Sequence, residues 1–364
     1  MAPISCTPQM ATKSNILLVG AGAVGTIAAL SIETGGFGTV TAVLRSNYEA
    51  VMKSGFRIDS IDHGHLIGWR PTKVVSSIPD VVKENLPPFD YIVCTTKNYP
   101  DIPPSLASLI APAVTAGHTV IVLVQNGLNI EKPLFEAFPS NIVLSGVSMI
   151  DSFEKEKGWI VHEFEDQLVI GAWNNPNFDA EGRKKELEKA KEFMKIYRGS
   201  EGEGADRPKG RPDVRLCKTD EEVKWGRWRK LVFNSALNPI CAITGLDDAR
   251  IRLADGAAEG LVRPAMREIV ATAAKLGYVL PEDIVETMIN MDPIDLYLKP
   301  SMLSDAEKGN YLEFENLIGE PLREAEKAGV DTPTLRVIYY MCKALQWRTK
   351  EEKGLVTVPP KRHI

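Results

Sequence analysis

Between Asn15 and about Ala172, short apolar runs alternate with segments of helical period, a pattern that predicts a parallel β-sheet with crossover helices. Strands are expected at Ile16–Val19, Val40–Leu44, Tyr91–Thr95, Val120–Val124 and Ile142–Met149. Phe56–Ser60 and His65–Ser76 alternate as a hairpin around Asp62-His63-Gly64, and a second antiparallel pair, Gly158–Phe164 with Gln167–Ala172, is expected to extend the sheet edge. A charged helix over Ala180–Tyr197 carries Leu187, Ala190, Phe193, Met194 and Tyr197 at helical spacing and is expected to pack them on the sheet. Gly, Pro and charge dominate 199–212, read as a mobile surface loop, and Asp213–Cys217 reads as a last short strand. From Thr219 onward apolar residues recur at three and four, predicting helices at 220–244, 255–276, 281–290, 310–328 and 333–350. No repeat of 20 to 50 residues is present, so a solenoid is excluded.

These patterns divide the chain into a disordered lead over 1–14, an α/β domain over 15–218 that includes the 199–212 loop, and a helical domain over 219–364. Composition narrows the function. With 44% hydrophobic and 25% charged residues in 364, the chain buries a large core, and its formal charge of -5 argues against nucleic acid as a partner. No run approaches the roughly 20 apolar residues that cross a bilayer, so no membrane partner is expected. Five scattered cysteines without a C-x-x-C pair (Cys6, Cys94, Cys217, Cys241, Cys342) fit a reducing compartment, and Cys94 reads as a small buried hydrophobe. His63-Gly64-His65 lacks a third ligand nearby, so no metal is expected. The expected location is the cytoplasm, with the mitochondrion as the alternative; a homodimer is the assembly considered.

The first chemistry stands directly after the first strand. Gly20-Ala21-Gly22-Ala23-Val24-Gly25 has the G-x-G-x-x-G spacing and opens the helix that ends near Glu33, the context of a doubly wound, Rossmann-type dinucleotide site. In that context the first glycine permits the turn, the second admits the pyrophosphate and the third lets helix and strand approach; the phosphates meet the unpaired N–H groups of the helix. A glycine turn that binds nothing is the plainer alternative. The second strand ends on Leu44-Arg45-Ser46 where an NAD site would carry an acid, so Arg45 favours the 2′-phosphate of NADP; a solvated arginine is the other reading. Lys97 and Asn126 follow the third and fourth of the apolar strands, where this fold places ligands, although Asn126-Gly127 also suits a turn.

The helical part opens with Lys224-Trp-Gly-Arg-Trp228-Arg-Lys230-Leu-Val-Phe-Asn234-Ser-Ala-Leu-Asn238-Pro. Lys230, Asn234 and Asn238 fall at i, i+4 and i+8, which on one helix lines an amine and two amides along a stripe bordering a cleft. A solvated face is the plainer reading of that stripe. Reduction of a ketone leaves an alkoxide that needs a proton, and a lysine whose pKa is lowered can give it.

These residues together resemble the ketopantoate reductases, also called 2-dehydropantoate 2-reductases. The resemblance covers roughly 15 to 345 and rests on Gly20-x-Gly22-x-x-Gly25, Leu44-Arg45, Thr96-Lys97, Asn126-Gly127, Trp228-Arg-Lys230-Leu with Asn234 and Asn238-Pro, and Ser301-Met-Leu-Ser-Asp305 followed by Glu313. It implies NADPH-dependent reduction of ketopantoate to pantoate, and a C-terminal domain like that of 6-phosphogluconate dehydrogenase. It further implies Lys230 as general acid, Asn234 and Asn238 as substrate hydrogen-bond partners, and Ser301 as the hydroxyl that binds the substrate carboxylate. Glu313 becomes the carboxylate that anchors substrate and poises the lysine, and Lys97 and Asn126 lie beside nicotinamide and carbonyl. Without the resemblance, Ser301 reads as a helix cap and Glu313 as a solvated residue on a charged helix. Two alternatives stay open: a reductase of another 2-keto acid or ketone on the same fold, and a non-catalytic NADP-binding redox sensor.

Overall fold

The computed structural model describes residues 13–199, 210–360 and 362, and the chain forms two compact units. The first takes in the chain up to Thr96, Ala107–Gln125 and Leu134–Lys218; the second takes in Lys97–Leu106, Asn126–Pro133 and the chain from Thr219. The contiguous division at 218 is therefore corrected at two places. Backbone of 97–106 and 126–133 finds its partners in the helical unit: Asn98 N–H donates to Glu313 Oε1 at 2.9 Å, and Leu128 N–H to the Asn316 carbonyl at 3.0 Å.

Among the described residues twelve strands make the sheets: β1 (Ser14–Val19), β2 (Gly38–Val43), β3 (Phe56–Ser60), β4 (Gly64–Trp69), β5 (Lys73–Val75), β6 (Tyr91–Cys94), β7 (Val120–Leu123), β8 (Val143–Ser148), β9 (Asp151–Glu156), β10 (Trp159–Phe164), β11 (Gln167–Ala172) and β12 (Asp213–Leu216). Eight form the main sheet in the order β12-β11-β8-β7-β6-β1-β2-β5. The chain runs outward from β1 through β2 to β5 and then returns to the other side of β1 with β6, which puts the topological switch at the carboxyl ends of β1 and β6. Strands at that centre are buried on both faces and read as continuous apolar runs; Ile16, Leu17, Leu18, Ile92 and Val93 are all inaccessible. Cys94 is among them, and burial pushes its thiol up to about 12, as suits an inert packing residue.

The antiparallel edge differs from the expected one. β10 does not pair with β11; it joins β3 and β9 in a separate four-stranded sheet of order β4-β3-β10-β9, while β11 pairs with β8. β9 reads Asp-Ser-Phe-Glu-Lys-Glu, too polar for hydrophobic alternation to mark, and its main-chain bonds capture β10. Leu168 and Ile170 of β11 belong instead to the main core. The run His65–Ser76 also divides: Pro71 interrupts it, and 73–75 become the edge strand beside β2.

Helices α1 (Ala23–Gly35), α2 (Tyr48–Ser54), α3 (Leu106–Ile110), α4 (Lys132–Ala137) and α5 (Ala180–Arg198) complete this half of the chain. Asp179 caps α5 by accepting from Gly182 N–H at 2.9 Å. Ala190, Phe193, Met194 and Tyr197 are buried as the spacing predicts; Leu187 is half-buried, and Glu186 takes the buried place beside it, accepting from Asn175 N–H at 2.8 Å. Residues 1–12 of the expected lead, with Cys6, and 200–209 of the expected loop lie outside the described residues; Ser14 is already in β1. At the loop's far end Arg211 is anchored, donating to the carbonyls of Ser31 (2.7 Å), Arg198 (2.8 Å) and Tyr197 (3.1 Å).

In the second unit, α6 (Asp220–Asn234), α7 (Leu237–Thr244), α8 (Asp248–Leu253), α9 (Arg263–Lys275), α10 (Ile284–Ile289), α11 (Ser301–Glu307), α12 (Glu320–Ala328) and α13 (Pro333–Glu352) surround a core that includes Trp228, Leu231, Ile269, Phe314 and Cys342. Single π-helical turns lead into α9 and α12, and residues 310–313 are not helical. The expected helix 220–244 is broken at Ser235–Ala236. Pro239 has no N–H and its ring would strike the carbonyl four residues back, that of Ser235, so α6 ends there. The i, i+4, i+8 stripe is thus corrected: Lys230 and Asn234 share α6, and Asn238 stands on α7. Among the described residues no helix is long and apolar enough to cross a membrane.

Candidate active site

The glycine turn leaves β1 at Gly20, whose φ of +105° a side chain would strain and whose Cβ would lie 2.6 Å from Thr96 N. Gly25 brings α1 against the turn. A methyl group there would strike the Gly20 carbonyl oxygen and lie 2.5 Å from Thr95 Oγ1, which itself donates to that carbonyl at 2.6 Å. At Gly22, the residue that caps α1, a Cβ would meet nothing within 4 Å, and no side chain caps the helix's first N–H groups. Ala21 is buried, while Ala23 and Val24 of the first turn are half-buried. Open space before a bare helix N-terminus is what a diphosphate requires, so these residues fit a dinucleotide.

The two glycines separate packing from binding. Gly25→Ala is expected to lower Tm by roughly 2–12 °C, because overpacking against backbone costs about 1–3 kcal/mol. Gly22→Ala should leave Tm unchanged, and thermal denaturation of both proteins checks the pair.

Arg45 lies just beyond β2, exposed, and pairs with no carboxylate among the described residues. Two residues on, the buried Asn47 was not marked by sequence: its amide donates to the Ala21 carbonyl at 2.9 Å and to Glu154 Oε1 at 3.1 Å. It ties the end of β2 to the glycine turn. Only the strand-end position could have suggested it.

In the second unit Lys97 Nζ sits 2.8 Å from Asp305 Oδ2 and 3.2 Å from Glu313 Oε2. Burial opposes its charge, but Glu313 and Asp305 overcome that and hold the amine above the ordinary lysine range. Glu313 is 5% exposed, so its solvated reading is overturned; its other oxygen accepts from Asn98 N–H. Asp305, a turn after Ser301 on α11, is a site residue to which sequence gave no role; the i, i+4 spacing was the available signal.

Lys230 is pushed down to about 8, first by burial and then by the Arg227 charge; Glu313 pulls it up and Lys97 pushes it down. Its helix neighbour Asn234 is buried, with no hydrogen bond to its amide among the described residues. Asn238, 1% exposed, uses both ends of its amide: Oδ1 accepts from Met302 N–H at 2.9 Å and Nδ2 donates to Ser301 Oγ at 3.3 Å. Asn238 therefore caps α11 from α7. Ser301 occupies the first helical position and makes no cap of its own, which corrects that reading. Asn126 is half-buried and precedes Gly127, where φ is +113° and a Cβ would lie 2.5 Å from Asn316 Cβ.

In the second unit Lys97 thus meets Asp305 and Glu313, Lys230 feels the charges of Lys97 and Glu313, and Asn238 is bonded to Ser301; in the first, Asn47 ties the end of β2 to the Gly20–Gly25 turn. Comparison with known proteins covers stretches of both units. The family model described as ketopantoate reductase PanE/ApbA matches residues 16–175, and its C-terminal companion matches 222–346. The uncharacterized protein YDL144C of Saccharomyces cerevisiae is 36% identical, with 94% of this chain and 96% of that protein covered. The 2-dehydropantoate 2-reductase of a Nostoc species is 25% identical over 94% of this chain and 97% of its own. The crystal structure of 2-dehydropantoate 2-reductase from Methylococcus capsulatus superposes with a TM-score of 0.71 at 31% identity, covering 92% of this chain and 97% of that one. The chain belongs to the ketopantoate reductase family and is an oxidoreductase acting on CH–OH groups.

Proposed function

We propose that the protein reduces the 2-keto group of ketopantoate to the alcohol of pantoate with NADPH. The observation that carries this reading is Lys230, a half-buried lysine that desolvation and the Arg227 charge bring down to about 8, close enough to neutrality to give up a proton, with Glu313 near enough to pull it back and Asn234 one turn along the same helix. NADPH, when bound, supplies the hydride that adds to C2 of the keto acid. Gly20, Gly22 and Gly25 with the N–H groups of α1 hold its diphosphate, and Arg45 holds the 2′-phosphate. Asn126 and Lys97 orient the reacting carbonyl beside the nicotinamide.

Protonated Lys230 hydrogen-bonds the keto oxygen and passes its proton to that oxygen as negative charge develops there. Asn234 offers its amide to the substrate, and Ser301, aimed by Asn238, binds the carboxylate. Glu313 anchors the substrate and keeps the lysine protonated at neutral pH, while Lys97 holds Glu313 in place. A non-catalytic sensor of NADP would need none of these groups.

Steady-state reduction of ketopantoate with NADPH and with NADH, beside a panel of other 2-keto acids, tests the reading. The expected result is the highest kcat/KM for ketopantoate with NADPH. A higher value for another keto acid would move the substrate assignment, and tight NADP binding without turnover of any carbonyl would favour the sensor.

A further inference from the structure

The charged groups that act on Lys230 come from three segments: Arg227 on its own helix α6, Lys97 after β6 and Glu313 before α12. Lys97 and Glu313 contact each other directly, and Lys97 also meets Asp305 on α11. Arg227 is different, since its guanidinium turns toward the segment that follows β7. It is 3% exposed, with Nη1 donating to the Gly127 carbonyl at 2.8 Å and Nη2 lying 3.0 Å from Oε1 of the inaccessible Glu131. Gly127 is itself wedged against Asn316, Leu128 N–H donates to the Asn316 carbonyl, and Asn316 Nδ2 donates to the Asn98 carbonyl at 3.2 Å. Asn98 N–H completes the path to Glu313.

We propose that Arg227 is a positioning residue for Lys230: gripped by Glu131 and the Gly127 carbonyl, it locks the lysine's helical turn onto the Asn126–Glu131 segment and fixes a permanent cation one turn from the amine. Residues three apart on a helix are neighbours, so the two cations cannot avoid each other. A buried Arg–Glu pair is weak support for stability, and its retention calls for another role. Here that role is geometric and electrostatic together. The pair keeps the 126–131 segment seated beside α6, and its arginine makes Lys230 the stronger acid. Burial of Glu131 keeps the arginine where it is needed.

This inference rests on the reading of Lys230 as proton donor, but its test does not require turnover. In the full-length protein labelled with 13Cε-lysine, the Lys230 resonance is identified by its loss in Lys230→Met and titrated by NMR. Arg227→Met should raise the midpoint by roughly one pH unit or more, as expected for removal of a like charge at neighbour distance, and Arg227→Lys should restore it. The paired Arg227→Met/Glu131→Met protein replaces both charges with apolar groups and gives the same upward shift without a stranded carboxylate. The alkaline limb of kcat should move with the midpoint. An unmoved midpoint in the folded double variant would overturn the proposal. A midpoint that moves while kcat in the unaltered protein ignores Lys230 would instead retire the proton-donor reading.

Discussion

Replacing Lys230 by methionine is expected to lower kcat for keto-acid reduction by about 10²- to 10⁴-fold, the usual worth of a positioned general acid, with NADPH affinity unchanged. Methionine keeps the unbranched stem and packs in the same space, so the loss measures the amine and not the fold. Burial and Arg227 lower the amine's proton affinity and Glu313 partly restores it, leaving it at about 8. The sign of the pH dependence follows: reduction needs the protonated amine, so kcat is level below about 8 and falls above it. Oxidation of the alcohol needs the neutral amine and should rise through the same pH. Lys230→Arg keeps the charge but gives up its proton at no working pH, so its kcat should be low throughout. Single-turnover rates in both directions across pH 6–10 check this, and a methionine variant within threefold of the parent would remove Lys230 from the chemistry.

How much of this was legible beforehand depended on the length scale of each interaction. β6, β7, β8 and the Ile16–Val19 part of β1 are buried on both faces, so their apolar runs declare them; β2 declares itself by alternation, with Thr39 and Thr41 half-buried between buried neighbours. β9 was invisible because its strand character lies in main-chain pairing with β10, which leaves no hydrophobic alternation in Asp151–Glu156. Lys230 and Asn234 were found together because one helical turn joins them. Continuing that stripe to Asn238 failed on the carbonyl that Pro239 would strike. Asp305 and Asn47 act through partners more than twenty residues away, on Lys97 and on Ala21; one turn after Ser301 and the end of a strand mark their positions, but the contacts themselves leave no local pattern. The assignment of 97–106 and 126–133 to the helical unit is of the same kind, since Glu313 and Asn316 hold those segments from about two hundred residues further along.

Arg45→Asp should weaken NADPH binding by about 10- to 100-fold at low salt while changing NADH binding by a few-fold at most. Each charge-assisted bond from a guanidinium to phosphate contributes about 1.5–3 kcal/mol, and an aspartate adds repulsion of the 2′-phosphate. Arg45 is exposed, so screening reduces both contributions and the discrimination should shrink as ionic strength rises. Its neighbour Asn47 makes the complementary case. Because that amide ties β2 to the Ala21 carbonyl and to Glu154, Asn47→Ala loosens the turn that both cofactors share and should weaken NADPH and NADH alike. Fluorescence titration of the two variants with the two cofactors separates choice from grip: a selective loss at Arg45 and a uniform loss at Asn47 place the 2′-phosphate at the end of β2. Equal losses in Arg45→Asp would mean that the turn binds diphosphate with no part for Arg45 in choosing between the dinucleotides.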